Sequence, residues 1–198
     1  MSGSKVQSSK KLKFLEIEHK FVLPRRYNQA AFLRRVRSLK PQRHYQIDVT
    51  DRYYLLKNMP GAIVRHRFDQ KLHHLTIKNL GDDPECRKEV NLELCHCADM
   101  QQDAVEAFLD SFGIRWQGQL KKKVQVFYFN DAEIVLYHAT SGRKSVSCIE
   151  VEAIRYKSRQ QAIKVIEKYE ASLGLDQLTR SPQTLFELLL KPKHKKSS

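Results

Sequence analysis

The chain has 198 residues, 41% hydrophobic and 29% charged, with a formal net charge of +14. That is enough for one well-cored soluble domain and too little for two. No apolar run is long enough to span a membrane as a helix, and the start lacks the apolar core of a secretory signal, so a cytoplasmic protein is expected.

The four cysteines form no disulfide framework for a chain this size, in keeping with a reducing compartment. Cys95-His96-Cys97 lacks the spacing and the second cysteine pair of a zinc finger or ribbon. The charge is unevenly placed. Lys5, Lys10, Lys11 and Lys13 near the start and Lys191, Lys193, Lys195 and Lys196 near the end stand in stretches without an acid, and setting these eight aside leaves +6 of the +14 for the body. The expected organisation is a disordered basic tail over 1–13, one domain over 14–190 and a second basic tail over 191–198.

In chain order, Phe14 to Phe21 comes first. If extended, it sends Leu15, Ile17, His19 and Phe21 to one face and Glu16, Glu18 and Lys20 to the other. Taken alone, it is a half-buried strand with a solvated charged face. Pro24 closes it. Ala31, Phe32, Val36 and Leu39 recur at helical spacing among arginines, predicting a basic amphipathic helix from Tyr27 to Leu39 that stops at Lys40-Pro41. Tyr45 to Leu55, rich in β-branched and aromatic residues, predicts a strand or two with a local irregularity before the turn at Met59-Pro60-Gly61.

Ala62 to Phe68 alternates again, with Arg65 and Arg67 opposed to Val64, His66 and Phe68. Leu72 to Leu80 reads as its hairpin partner, with Thr76 and Lys78 on the polar face. After the break at Gly81-Asp82-Asp83-Pro84, Cys86 to Cys95 places Arg87, Glu89, Asn91 and Glu93 opposite Val90, Leu92 and Leu94. Asp99 to Phe112 predicts a helix with Ala104, Val105, Phe108, Leu109 and Phe112 on its apolar face and Gly113 as its cap.

Lys121 to Phe129 and Ala132 to Ala139 flank a tight Asn130-Asp131 turn, with Lys121, Lys123 and Gln125 sharing a face in the first. Val146 to Tyr156 sets Glu150 and Glu152 opposite Ile149, Val151 and Ala153. Ser158 with Gln161 predicts a capping box for a helix that Gly174 stops. Ser181-Pro182 then predicts the start of a last helix through Leu185, Phe186 and Leu189.

About eight strands in successive hairpins, interrupted by helices, predict an antiparallel α+β fold. A sandwich is the ordinary solution. A closed eight-stranded barrel better explains why so many strands keep charge on one face, since a barrel of that size can hold a solvated interior. A membrane barrel is not expected, because His19, His66 and Lys88 would face lipid. Gathered in one interior, Glu16, Glu18, Glu89, Glu150 and Glu152 could not all ionise without cations. Mg²⁺ or Mn²⁺ would answer that need, and the lysines and arginines would grip phosphates.

These residues resemble the CYTH superfamily, the triphosphate tunnel metalloenzymes. Glu16-Ile17-Glu18-His19-Lys20 is similar to its ExExK signature, and Arg65-His66-Arg67 to its paired-arginine strand. Leu75 to Lys78 resembles its lysine strand, Arg87-Lys88-Glu89 its R-x-E, Glu150-Val151-Glu152 its late E-x-E, and Ser181 to Leu190 its closing helix. The resemblance implies a β-tunnel with flanking helices, with Glu16, Glu18, Glu89, Glu150 and Glu152 as metal ligands. It further implies phosphate contacts from Lys20, Arg65, Arg67, Lys78, Arg87, Lys121 and Lys123, with Glu16, Glu18, Lys20, Glu150 and Glu152 carrying the chemistry.

Tyr137 stands about where the family carries an acid, and neither Asp131 nor Glu133 reads as its substitute. The strand bearing Lys121 and Lys123 lacks the family's arginine. The expected activity is metal-dependent hydrolysis of inorganic triphosphate, thiamine triphosphate or a nucleoside triphosphate. Class IV adenylate cyclisation is the first alternative. The second is a non-catalytic binder of polyphosphate or RNA through the basic tails and the Arg34-Arg35-Val36-Arg37 helix.

Overall fold

The computed structural model describes residues 14–69, 73–79, 83, 85–94 and 101–191. The first tail, nearly all of the second, most of the Gly81–Pro84 break and Cys95-His96-Cys97 lie outside the described residues.

Eight strands form the frame: β1 (Leu15–Val22), β2 (Arg43–Leu56), β3 (Ala62–Phe68), β4 (His73–Asn79), β5 (Cys86–Glu93), β6 (Ile114–Tyr128), β7 (Ala132–Ser141) and β8 (Lys144–Ala153). Every pairing is antiparallel, and the order β1-β5-β4-β3-β2-β6-β7-β8 closes on itself. Closure removes the sheet edges that a sandwich would leave. Both faces of β1 are covered: Ile17 and Phe21 on one side and Glu18 and Lys20 on the other are all buried. The charged face looks into the barrel, not into bulk water.

Among the described residues three α-helices lie outside the frame: α1 (Gln29–Ser38), α2 (Gln101–Asp110) and α3 (Arg159–Leu173). Asn28 caps α1 by accepting a hydrogen bond from the Ala31 N–H at 2.9 Å, and Ser158 caps α3 in the same way from the Gln161 N–H at 3.2 Å. Gly174 ends α3 in the left-handed region at φ 69°. Phe32 and Val36 of α1 and Ala162 and Ile166 of α3 pack on the outward Ile17, Phe21, Ile134 and Ile149 of the barrel. His19 shares this outer face. Its Nδ1 lies 2.6 Å from Glu170 Oε1, and the other Glu170 oxygen accepts from Arg180 at 2.8 Å, which ties β1 to α3. Val105 and Leu109 of α2 cover Tyr54, Leu56, Val64 and Leu75 on the opposite flank.

Tyr45–Leu55 is part of one strand with its irregularity at Leu55/Leu56, as expected. Three local expectations change. β6 begins at Ile114, seven residues before Lys121, because the long β2 offers partners as far as Leu56. α2 ends at Asp110, where Val105 and Leu109 turn inward, while Phe108 and the following Phe112 stay exposed and pack edge-on against each other. The last helix does not start at Pro182. The segment from Ser181 to Thr184 is extended, and a single wide π-helical turn over Phe186–Leu190 follows. Its cap is a reciprocal pair, Thr184 N–H to Glu187 Oε2 at 2.8 Å and Glu187 N–H to Thr184 Oγ1 at 3.2 Å.

This turn plugs the barrel. Among the described residues, Leu185, Phe186 and Leu189 pack with Trp116, Tyr53, Ile63, Leu120, Tyr137 and Cys148 at the end that carries the β7–β8 turn. The interior is therefore a cavity with a floor, about 320 Å³ in volume.

Candidate active site

Antiparallel register sets the inward side chains in rows. One row runs Tyr128, Glu133, Glu152, Glu18 across β6, β7, β8 and β1. The adjacent row runs Tyr45, Val126, Val135, Glu150, Lys20 from β2 around to β1. On the far wall Glu16 faces Arg87, Lys78 faces Glu89, and Arg65 lies between Tyr53 and Thr76.

The charges are interlocked. Lys20 Nζ lies 3.3 Å from Glu18 and 3.0 Å from Glu150, and the Tyr137 hydroxyl donates to Glu150 at 2.7 Å. Arg87 reaches Glu18 at 3.4 Å and the Pro182 carbonyl at 3.1 Å. Lys78 pairs with Glu16 at 2.8 Å and with Glu89, which also accepts from Arg65 at 3.3 Å. Asp51, fully buried, takes two hydrogen bonds from Arg67 at 2.7 and 3.0 Å and faces a second positive charge on Lys122.

Titration follows the partners. Burial pushes the Glu150 carboxyl up, but Lys20 and the Tyr137 hydroxyl outweigh it and hold the group down at about 2. Glu16 is different: burial dominates, Glu18 and Glu89 add to it, Lys78 only partly offsets it, and the group rises to about 8. Glu152 is raised well above the usual carboxylate range by burial and then by Glu16, Glu133 and Glu18, with Lys78 as an opposing cation. Burial and the neighbouring Arg67 bring Lys122 down to about 8 despite Asp51.

No protein-family model and no curated protein matches the sequence. Solved structures do match. A protein of Pyrococcus horikoshii OT3 superposes with a TM-score of 0.71 at 23% identity over 88% of this chain and 99% of its own. The Hippeastrum protein HpAC1, described as having a dominant triphosphatase activity, gives 0.54 at 13% identity over 86% and 93%. The Mimivirus capping-enzyme triphosphatase gives 0.52 at 11% over 88% and 99%. The likeness is one of fold: a closed eight-stranded antiparallel barrel.

Within the tunnel stand Glu16, Glu18, Lys20, Arg65, Arg67, Lys78, Arg87, Glu89, Glu150 and Glu152, all around the one cavity. Lys121 and Lys123 do not join them. Both are exposed on the outer surface, where β2 sets Thr50 and Asp48 opposite them, and the inward lysine of β6 is Lys122, opposite Val49. Three successive lysines cannot be sorted by alternation alone, and the face with more charge is here the outer one.

Sequence reasoning also missed Asp51, a single acid in an otherwise apolar and aromatic inward run, and Glu133. Glu133 stands beside Glu152 in register and lines the cavity, so an inward acid is present on β7, four residues before Tyr137. The Asp51–Arg67 register across β2 and β3 is the signal that would have found the first.

The donor set suits a hard divalent ion such as Mg²⁺ or Mn²⁺: it is all carboxylate, and Glu16, Glu133 and Glu152 are each raised by burial and by neighbouring carboxylates more than their cations offset. Among the described residues no three His, Cys, Asp or Glu side chains already stand gathered as a metal site. Glu18, Glu89 and Glu150 are each turned to a lysine or arginine instead.

Proposed function

We propose that the protein is a Mg²⁺- or Mn²⁺-dependent hydrolase of a triphosphate-containing substrate bound inside the tunnel. The observation that carries this reading is the convergence of Glu16, Glu18 and Lys20 with Arg65, Arg67 and Glu150 on one cavity. The Mimivirus neighbour, a triphosphatase by description, and the Hippeastrum one, an adenylyl cyclase candidate described as having a dominant triphosphatase activity, support hydrolysis.

The lining carries six glutamates and six lysines or arginines. With Glu16 and Glu152 raised by burial and their neighbours, the ionised glutamates are fewer than the cations, and a triphosphate, with about four negative charges, would still exceed that surplus unless a divalent cation came with it. Glu16, Glu18, Glu150 and Glu152 would hold the ion, with Glu89 and Glu133 beside them. When bound, such an ion withdraws charge from the phosphates and makes a water more acidic.

The rest of the work falls to the protein. Arg65, Arg67, Lys78 and Arg87 grip the phosphates, the guanidinium groups in bidentate fashion. Lys20 is held fully protonated by Glu150 and Glu18 against the cost of burial, so it serves as a fixed positive charge for the transition state and not as a base. The Tyr137 hydroxyl fixes one oxygen of Glu150 and leaves the other to act. The plugged end excludes water from behind the phosphates.

The test is phosphate release from inorganic triphosphate, thiamine triphosphate and nucleoside triphosphates with Mg²⁺ or Mn²⁺, cyclic AMP being measured in the same reactions. Turnover of at least one substrate is expected, lost on chelation and lowered about 100-fold or more in Glu16→Ala and Glu150→Ala. Activity indifferent to both substitutions would end the reading, and cyclic AMP as the main product would replace it with the cyclase.

A further inference from the structure

Elsewhere on the outer surface acids are mixed in among the cations: Arg52 meets Glu106 at 3.1 Å, Arg159 meets Asp83 at 2.8 Å and Arg180 meets Glu170 at 2.8 Å. The stretch around α1 is different. Between Glu18 and Asp48 the chain carries no acid at all. Arg25, Arg26, Arg34, Arg37, Lys40 and Arg43 are all exposed there. Among the described residues, no ion pair reaches any of the six. Arg35 has a structural use instead, donating to the Leu173 carbonyl at 2.9 Å where α3 ends.

This arrangement costs the fold something. α1 has no acid in its first turn to offset its dipole, and Arg34 and Arg37 set like charges one turn apart on the side away from the buried Phe32 and Val36. Lys40 takes the left-handed backbone, φ 54°, that follows the helix, a place glycine fills without penalty. From Arg34 onward a cation recurs at every third residue, ending at Arg43. That residue faces Tyr128 at the end of the barrel away from the plug.

We infer that the exposed side of α1 and its two flanks bind the phosphate backbone of a nucleic acid, without reading its sequence, at a surface outside the tunnel. None of the tunnel residues takes part, so this stands apart from the triphosphatase reading. Five of the six cations are arginines, whose planar fork matches phosphate oxygens. With ten residues α1 is about 15 Å long, and a stacked strand carries a phosphate about every 3.4 Å, so about four phosphates pass along it. A protein partner would want an apolar anchor, and a membrane an apolar face to take up. α1 offers neither: Phe32 and Val36 are buried, Leu33 and Leu39 pack against the core, and no large exposed hydrophobic side chain lies on it. Phosphate contacts alone are enough to hold a nucleic acid.

The experiment follows the fluorescence anisotropy of a labelled RNA of about 20 nucleotides and a DNA duplex of about 20 base pairs with the full-length protein, over about 50–300 mM KCl. At least one is expected to bind with a Kd of about 100 µM or tighter near 150 mM KCl. Arg34→Gln with Arg37→Gln should weaken that binding about fivefold or more and lower the slope of log Kd against log salt by about one and a half. Glutamine keeps the helix and no ion pair is lost, so the melting temperature should not fall. Lys121→Gln with Lys123→Gln removes the same charge from the exposed face of β6 and should change the affinity less than about twofold. Equal losses in the two double variants would reduce the effect to net charge and overturn the inference. So would an affinity that the α1 variant leaves unchanged, binding of neither nucleic acid, or equally tight binding of polyglutamate or phosphatidylserine vesicles. Because the α1 variant leaves the tunnel intact, loss or absence of phosphate release does not bear on these outcomes.

Discussion

Asp51 sits in the tunnel wall with no exposure, between the Arg67 guanidinium and the Lys122 ammonium. Those two cations bring its carboxyl well below the usual range even though burial pulls the other way. Removing the acid would leave both cations side by side and desolvated. Asp51→Ala is therefore expected to cost about 3–5 kcal/mol, read as the shift in a urea denaturation curve.

His66 makes a pH-dependent contribution of opposite character. It is buried on the outer face of β3, 3.0 Å from His73 across Nε2, and burial together with His73 lowers it to about 4 from the ordinary 6.5. The unfolded chain takes up this proton near pH 6.5 and the folded one only near 4. The stability is thus whole above 6.5 and drains away as pH falls through that window. Denaturation midpoints at pH 7.5 and 4.5 should differ less in His66→Leu than in the parent. Alternation sorted the charges that stand in like-sided pairs with apolar or neutral residues between and beside them, as at Glu16 and Glu18, Arg65 and Arg67, or Glu150 and Glu152. It had no purchase on the lone Asp51 or on the three lysines of β6.

At the scale of elements, caps were the most legible feature and the plug the least. Ser158, Gln161 and Gly174 bound α3 as their chemistry dictates, and an added Cβ at Gly174 would meet the Arg35 guanidinium that donates to the Leu173 carbonyl at 2.9 Å. Pro182 was read as a first helical residue, but its carbonyl is engaged by Arg87 and the Ser181 N–H donates to the Lys20 carbonyl at 2.7 Å, so the strap is spent on tertiary contacts before any turn forms. Thr184 and Glu187 carry the same capping pattern three residues later, and only the extended strap shows which of the two is used.

Phe186 is the centre of the plug, edge-on to Trp116 at 5.3 Å between ring centroids. Phe186→Ala should destabilise the fold by about 3–5 kcal/mol. Faster hydrogen exchange at the Lys191 amide, which donates to the Phe186 carbonyl at 2.7 Å, is the local readout. An unchanged melting temperature would mean that the turn does not support the barrel.

For the whole molecule, the barrel was legible because hairpins announce antiparallel neighbours and because charge on one face of so many strands needs an interior to hold it. Strand order followed from the chain's path except at three pairings. β1 pairs with β5 and with β8, and β2 with β6, contacts between chain positions far apart that no local pattern encodes. The apolar side chains in the wall were hidden for a related reason: Ile47, Val49, Val124 and Val126 read as ordinary strand core until closure turns them onto the same space as Lys78 and Arg65.

The plug has a consequence of its own. A passage open at both ends could be threaded by a long anionic chain and could act at any point along it. With Leu185, Phe186 and Leu189 filling one end, a molecule of any length can offer the protein only a terminus, and whatever enters must leave by the way it came.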